Sequence, residues 1–359
     1  MRFNLPVLVY QEKNCVHNHA DEIAQMGKNA LIVTGRNSSK KNGSLDDVIN
    51  ALKSKNIKYT VYDGVEENPS VETVMEAREI GVKAGCDFII GIGGGSPMDA
   101  AKAIGVMIYH KNENKDFLYK SVSNSQSLPV IEVPTTCGTG SEVTTVAVLT
   151  VHNEKTKKSM SHRIFPRMAL VDEKYIKNAP LKVICDTAID ALAHIVESCI
   201  NNNATEYSKM FAKEGLEAWS KFKDVLLGNR EATDEDFHNM MYASTLAGMC
   251  IAHAGTSLPH GLSYPITYEL GIPHGKAVEY FLPGYINEAT DEDKEFVLKA
   301  AGFESVEEFS KFYKKACGYE KFPQELLDKT GELILSNQRK LANCPYKVDA
   351  EVIKNIISF

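Results

Sequence analysis

Gly91-Ile92-Gly93-Gly94-Gly95-Ser96-Pro97-Met98-Asp99-Ala100-Ala101-Lys102 joins a buried apolar run to a helical pattern. Residues 87–92 have strand character, and the glycines that follow lack the Cβ atoms that would keep a ligand off the backbone. Ser96 has the chemistry of an N-cap, Pro97 suits the first helical position, and Asp99 stands where a capping box places its acid. The spacing predicts a helix from Ser96 to about Ile108, with its unpaired N–H groups and positive dipole end facing the loop. That is an anion site suited to a pyrophosphate. A tight strand-to-helix turn would use the same residues, and the spacing is neither G-x-G-x-x-G nor G-x-x-x-x-G-K-[ST].

Around this loop, β-branched runs alternate with helical stretches. Residues 29–34, 58–62 and 129–133 read as further strands, and residues 45–55 and 70–84 as helices, the latter with Ser70 as N-cap. Continuous rather than alternating apolar strands in a β-α-β order predict a parallel sheet covered on both faces. From about Pro180 strand runs almost disappear, and helical patterns cover residues 183–201, 206–222 and 234–254. The expected architecture is an α/β dinucleotide-binding domain with a parallel sheet over residues 1–180. An all-helical, metal-binding catalytic domain follows over residues 181–359, with a ligand cleft between the two.

Composition narrows the function. The 359 residues suffice for two domains, and 43% hydrophobic with 24% charged residues is ordinary for a globular protein. Forty Lys+Arg against 47 Asp+Glu give a net charge of -7, which speaks against a nucleic-acid binder. Apolar stretches such as residues 88–92 and 103–108 are far short of a membrane span. The N-terminus meets polar Gln11-Glu12-Lys13 too early for a signal peptide. None of the eight cysteines forms a C-x-x-C, so they read as reduced core thiols, and a cytoplasmic location is expected.

A second polar loop, Pro134-Thr135-Thr136-Cys137-Gly138-Thr139-Gly140-Ser141-Glu142-Val143-Thr144, follows the strand at 129–133 and fits the crevice rule for open parallel sheets. The ribose side is read from the strand ending at Thr34. There a dinucleotide fold usually carries an acid for the 2′-hydroxyl. This chain has Gly35-Arg36-Asn37-Ser38-Ser39-Lys40-Lys41, with hydroxyls at Ser38 and Ser39 and cations from Arg36 onward, which favours NADP(H) over NAD(H). A solvated basic loop is the plain alternative.

Four of the ten histidines stand out, all in the helical half. Asp190-Ala-Leu-Ala-His194 places a carboxylate and an imidazole at i, i+4 on one helical face, able to hold one ion. His260 precedes Gly261, and Pro273-His274-Gly275 comes fourteen residues later. Asp190, His194, His260 and His274 together make a three-nitrogen, one-oxygen donor set for Fe(II) or Zn²⁺, with His253 as an alternative member. Affinity order favours zinc.

Taken together, Gly93-Gly94-Gly95-Ser96-Pro97-x-Asp99-x-x-Lys102, Pro134-Thr135-Thr136-x-Gly138-Thr139 and Asp190/His194/His260/His274 resemble the iron-containing (group III) alcohol dehydrogenases. Asn68-Pro69 and Ala243-Ser-Thr-Leu-Ala-Gly248 look similar too. The resemblance runs from about Val7 to Pro283 and is nearest the butanol and 1,3-propanediol dehydrogenase branch. It implies a dehydroquinate synthase-like, two-domain fold and hydride transfer between a nicotinamide and a short-chain alcohol or diol, with iron as the habitual metal. It assigns phosphate-loop roles to Gly94, Gly95 and Ser96 with Asp99 alongside, nicotinamide-side roles to Thr135 and Thr136, and the cofactor lysine to Lys158. NAD-preferring relatives carry an acid where this chain has Gly35. Several members also have a histidine four residues after the third metal ligand; here that residue is Tyr264, a weak substitute in a proton relay or a packing residue.

The expected partners are a small alcohol or aldehyde, with no nucleic acid and no membrane, and a homodimer as candidate assembly. The rival activities are a glycerol- or polyol-type dehydrogenase and a dehydroquinate synthase-like lyase. The lyase would need a dense basic pocket, and few cations accompany His194, His260 and His274. An NADP-binding sensor without turnover would have no need of four intact ligand candidates.

Overall fold

A computed structural model of the chain describes residues 3–359. Its strands are β1 (Leu8–Gln11), β2 (Asn29–Gly35), β3 (Lys58–Val65), β4 (Phe88–Gly93), β5 (Val130–Pro134), β6 (Val148–Val151), β7 (Thr156–Ser159) and β8 (Met168–Val171). Six form one sheet in the order β1-β8-β5-β4-β2-β3, and every pairing in it is parallel. β6 and β7 form a separate antiparallel hairpin.

β4, β5 and β8 are buried at every residue. Leu31, Val33 and Ile89 pack with Val74, Ala77 and Ile104 on one face; Ala30, Ile32, Ile90 and Ile92 pack with Val16, Val48 and Leu52 on the other. Both faces of each strand are therefore apolar, which is why the sequence shows continuous runs and no polar alternation. The sequence-based expectation missed β1 and β8. Each has only four residues, too short for a periodic signal, and they earn strand geometry by pairing with each other and, for β8, with β5.

Two helix starts behave differently. Ser70 caps the Val71–Ala84 helix as expected, its Oγ accepting the Thr73 N–H at 3.1 Å. The helix after the glycine loop runs Gly95–Tyr109, two residues earlier than the N-cap assignment to Ser96 requires, with Gly94 at the cap and no side-chain cap bond. Ser96 Oγ instead accepts the Asn68 N–H at 3.0 Å. Asp99 is no capping-box acid either. Its two oxygens accept from Ser141 Oγ at 2.6 Å and Val148 N–H at 2.8 Å, tying the glycine-loop helix to the second loop and to β6.

The chain packs as two compact units. One comprises Leu5–Thr136 and Gly140–Ala179; the other comprises Pro180–Phe359 with Cys137–Thr139 and residues 3–4. The second unit is helical, and its central element is Leu181–Cys199. The buried Trp219 donates its indole N–H to Ala188 O at 2.7 Å, fixing the Glu206–Ser220 helix on that element. Capping boxes at Thr205/Ser208 and Thr233/Asp236 start the Glu206–Ser220 and Asp234–Ala254 helices. All eight cysteines are buried and free. Among the described residues no helix is long and apolar enough to cross a membrane.

One buried acid in the sheet unit has a measurable consequence. Glu132 on β5 is fully buried, and neither carboxylate oxygen has a hydrogen-bond partner among the described residues. Burial, with Asp99 and Glu142 adding and Lys102 opposing, holds its carboxyl well above the ordinary glutamate range. Folded Glu132 therefore keeps a proton that the unfolded chain releases at about pH 4.3. Its contribution to stability is complete below that pH and is lost as pH rises toward its folded value, at about 1.4 kcal/mol per pH unit spanned. Glu132→Gln should lose less stability than the parent between about pH 5 and about pH 8 in denaturant unfolding. Parallel losses in the two proteins would rule out a neutral Glu132.

Candidate metal centre and cofactor loop

Asp190 and His194 lie one turn apart on the Leu181–Cys199 helix, both buried. His260 sits in the first turn of Leu258–Leu270, and His274 opens the short helix His274–Glu279. Ligand atoms of Asp190, His260 and His274 all lie within 4.8 Å of one another. Asp190 Oδ1 and His260 Nε2 face each other at 3.4 Å. Both atoms are buried without a hydrogen-bond partner among the described residues. Two imidazoles and a carboxylate converging here, with Asp190 Oδ1 and His260 Nε2 orphaned, fit a divalent transition metal.

His194 stands beside this cluster rather than in it. Its ring stacks on His260 with centroids 4.3 Å apart, and its Nδ1 lies 4.0 Å from Asp190 Oδ2. Nδ1 is held by Gly138 O at 3.2 Å, and burial first, then His260, pushes the imidazole down to about 4. The ring is therefore neutral at pH 7, and donation from Nδ1 leaves Nε2 as the lone-pair nitrogen a metal requires. The alternative member His253 is elsewhere: its Nδ1 bonds Met249 O at 2.7 Å and its ring stacks on Phe3 at 4.6 Å.

Charge is balanced inside the cluster. Burial opposes ionisation of Asp190, but His194, His274 and His260 outweigh it and hold the carboxyl well below the usual range. Burial likewise opposes a charged His260, yet Glu197 and Asp190 raise it to about 9. The fully buried Glu197 accepts from the ring nitrogen Nδ1 of His260 and, at 2.5 Å, from the Ser257 N–H. Sequence reading passed over Glu197, although it follows Asp190 by seven residues and His194 by three on the same helical face. Tyr264 packs its ring against His274, centroids 5.6 Å apart at 28°, with Lys340 Nζ 5.9 Å from the phenol ring.

Two glycines let the pieces meet on the Leu181–Cys199 helix. A Cβ on Gly138 would lie 2.7 Å from Thr187 O, and one on Gly275 only 1.9 Å from Asp186 O. Neither position has room for a side chain without moving backbone.

In the sheet unit, Gly94 and Thr136 are in direct apposition; a Cβ on Gly94 would fall 3.0 Å from Thr136 Oγ1. Thr135 is buried, its N–H bonded to Gly93 O at 2.8 Å. The uncapped start of the Gly95–Tyr109 helix beside this narrow backbone cradle has the form of a phosphate site. Lys158 is turned away from it. It is exposed, paired with Glu154 at 3.3 Å and placed over the Tyr119 ring. Strand alternation on β7 sends Lys157 inward instead, 2.8 Å from Asn68 Oδ1, and Asn68 is the residue whose N–H reaches Ser96.

At the end of β2, Gly35, Arg36 and Ser38 are accessible, but Ser39 is not. It is fully buried, accepting from Thr34 Oγ1 at 2.8 Å. An acid that the local sequence does not show also arrives here. Asp63 of β3 pairs with Lys40 at 2.5 Å.

Comparison with known proteins gives a consistent picture. The family model described as iron-containing alcohol dehydrogenase matches residues 6–173, and that described as Fe-containing alcohol dehydrogenase family, C-terminal, matches residues 184–334. The chain is 30% identical over 348 residues to the NADPH-dependent butanol dehydrogenase of Clostridium saccharobutylicum, spanning 95% of this chain and 84% of that protein. It is 34% identical over 263 residues to the 1,3-propanediol dehydrogenase of Citrobacter freundii, spanning 72% and 67%. The crystal structure of an iron-containing alcohol dehydrogenase from Thermotoga maritima superposes with a TM-score of 0.91 at 38% identity, covering 99% of this chain and 98% of that one.

Proposed function

This chain belongs to the iron-containing alcohol dehydrogenase family, and from that premise we propose that it transfers hydride between NADP(H) and a short-chain alcohol or diol, with the matching aldehyde or ketone as the other partner. As an oxidoreductase it is an NAD(P)-linked alcohol dehydrogenase or aldehyde reductase. The observation that carries the proposal is the convergence of Asp190, His260 and His274, with Asp190 Oδ1 and His260 Nε2 buried and orphaned among the described residues. Fe(II) is the proposed resident ion and Zn²⁺ the alternative, held by Asp190, His194, His260 and His274. The proposed setting is the cytoplasm, with a homodimer as assembly.

A divalent ion at these residues supplies Lewis acidity, lowering the pKa of an alcohol hydroxyl or polarising a carbonyl in the reverse direction. The chain's own residues do the rest. Asp190 contributes the negative charge that imidazoles cannot, and its burial keeps that charge unscreened. Gly138 O fixes the tautomer of His194. Tyr264 stacks on the His274 ring, which supports a packing role at this position. Gly94, Gly95 and Ser96 offer the helix start to the cofactor pyrophosphate, with Lys157 rather than Lys158 as the lysine on that side.

The reading is tested with protein prepared without oxygen, stripped of metal and reloaded with Fe(II) or Zn²⁺. Nicotinamide absorbance is followed with NADP⁺ and NAD⁺ against short alcohols, diols, glycerol and the matching aldehydes. Metal-dependent turnover with NADP⁺ ahead is expected. Tight NADP binding without turnover of any of these would overturn the reading. The same assay examines the coenzyme preference. A Cβ on Gly35 would meet nothing closer than Val65 O at 3.5 Å, so an acid fits there. Asp63, already tied to Lys40, leaves Arg36 as the cation nearest Gly35 in sequence. Gly35→Asp should lower the NADP⁺/NAD⁺ ratio of kcat/KM by about tenfold or more through like-charge repulsion. An unchanged ratio would place the 2′-phosphate elsewhere.

A further inference from the structure

Glu197 is one of the most completely buried charges in the molecule, at 0% exposure, and the reaction as described above makes no use of it. Its two oxygens serve three donors, all from the turn that begins the Leu258–Leu270 helix. Oε2 accepts the Ser257 N–H at 2.5 Å, Oε1 lies 3.3 Å from the His260 N–H, and Oε1 also takes the Nδ1–H of the His260 ring. That helix has no side-chain cap of its own. A carboxylate from another helix thus fills the N-terminal position where backbone N–H groups and the helix dipole attract an anion.

The ring bond has the larger chemical effect. A neutral imidazole that donates from Nδ1 keeps Nε2 as the lone pair a metal requires, the second proton of metal-free His260 leaving when an ion binds. In His260 that nitrogen faces Asp190 Oδ1 at 3.4 Å, inside the metal cluster. We infer that Glu197 is the positioning residue of the metal centre, a carboxylate that fixes the tautomer and ring direction of His260 through Nδ1 while anchoring the turn that carries it at Ser257. The inference rests on the reading of Asp190, His194, His260 and His274 as metal ligands. Glutamine cannot replace this group. It has one acceptor oxygen for donors that approach both, and its amide would set N–H against N–H at Ser257 or at the ring. Lys340, whose Nζ lies 2.5 Å from Thr256 Oγ1, supplies a cation beside the same turn.

The test measures Zn²⁺ affinity of metal-free parent, Glu197→Gln and His260→Ala by competition with a chromophoric chelator. The visible spectrum of each Co²⁺-loaded form is the second readout. Glu197→Gln should bind Zn²⁺ about 10–100-fold more weakly than the parent, with altered Co²⁺ bands. His260→Ala should also bind more weakly. If His260→Ala retains parent affinity, the metal reading itself fails. If His260→Ala weakens binding while Glu197→Gln keeps the parent affinity and spectrum, the Glu197 inference falls alone. Should Glu197→Gln not fold, ¹⁵N NMR of the histidine rings in Zn²⁺-loaded parent decides. Protonated Nδ1 and metallated Nε2 on His260 support the inference, and the opposite tautomer overturns it.

Discussion

His274→Ala should lower kcat/KM for alcohol oxidation by about 10³-fold or more while leaving NADP⁺ binding intact. The cluster brings three ligand atoms within 4.8 Å, and His274 is one of them. Removing it leaves a two-point site from these three residues, and with it goes most of the charge stabilisation that a Lewis acid gives, several kcal/mol. At about 1.4 kcal/mol per tenfold, a loss of about 4 kcal/mol is three orders of magnitude. The side chain is half-buried at the start of a short helix, so folding is expected to survive. The glycine loop lies in the other compact unit, which is why coenzyme affinity, read by quenching of nucleotide fluorescence, should not change. Turnover within tenfold of the parent, with metal content unchanged, would remove His274 from the site.

Gly275→Ala should unfold or loosen the same centre without touching a ligand. The new methyl group would lie 1.9 Å from Asp186 O and 3.4 Å from Asp190 Cβ. The obstacle at 1.9 Å is helix backbone, which has no rotamer to escape into, so the His274–Glu279 helix must move away from Leu181–Cys199. Overpacking of this kind costs at the upper end of its range, about 3 kcal/mol. For a unit of this size that is a fall in Tm of about 6–12 °C. Because His274 precedes the displaced residue directly, metal affinity should fall with stability. A variant with parent Tm and parent Zn²⁺ affinity would show that the two helices are not held at contact distance.

What could be read locally was read from particular residues. The three glycines after an apolar strand mark the turn into the helix that follows, and β4 and the Gly95–Tyr109 helix lie within two residues of where those signals put them. Asp190 and His194 share a helical face because the α-helix repeats every 3.6 residues. Ser70 caps its helix because an N-cap depends only on the next three residues. The errors are equally local in origin. Ser96 and Asp99 have capping chemistry, but Asn68, Ser141 and Val148 compete for them from elsewhere in the chain. Burial of Ser39 against Thr34 and the inward turn of Lys157 rather than Lys158 are likewise set by the fold, the latter by the two-residue strand repeat.

By itself, then, the sequence determined the order of the longer elements, the parallel α/β class of the first half, the helical second half, the glycine loop and the candidate ligands Asp190, His194, His260 and His274. Only the tertiary structure decided that His260 and His274 meet Asp190, that His194 stands to one side on Gly138 O, that His253 is excluded, and that Glu197 holds His260. The physical reason is range. Helix period, glycine freedom and capping act within a few residues and are written in the local chain, whereas Glu197 and His260 are 63 residues apart and are joined by helix packing, just as Gly138 and Gly275 meet the Leu181–Cys199 helix across long stretches of chain.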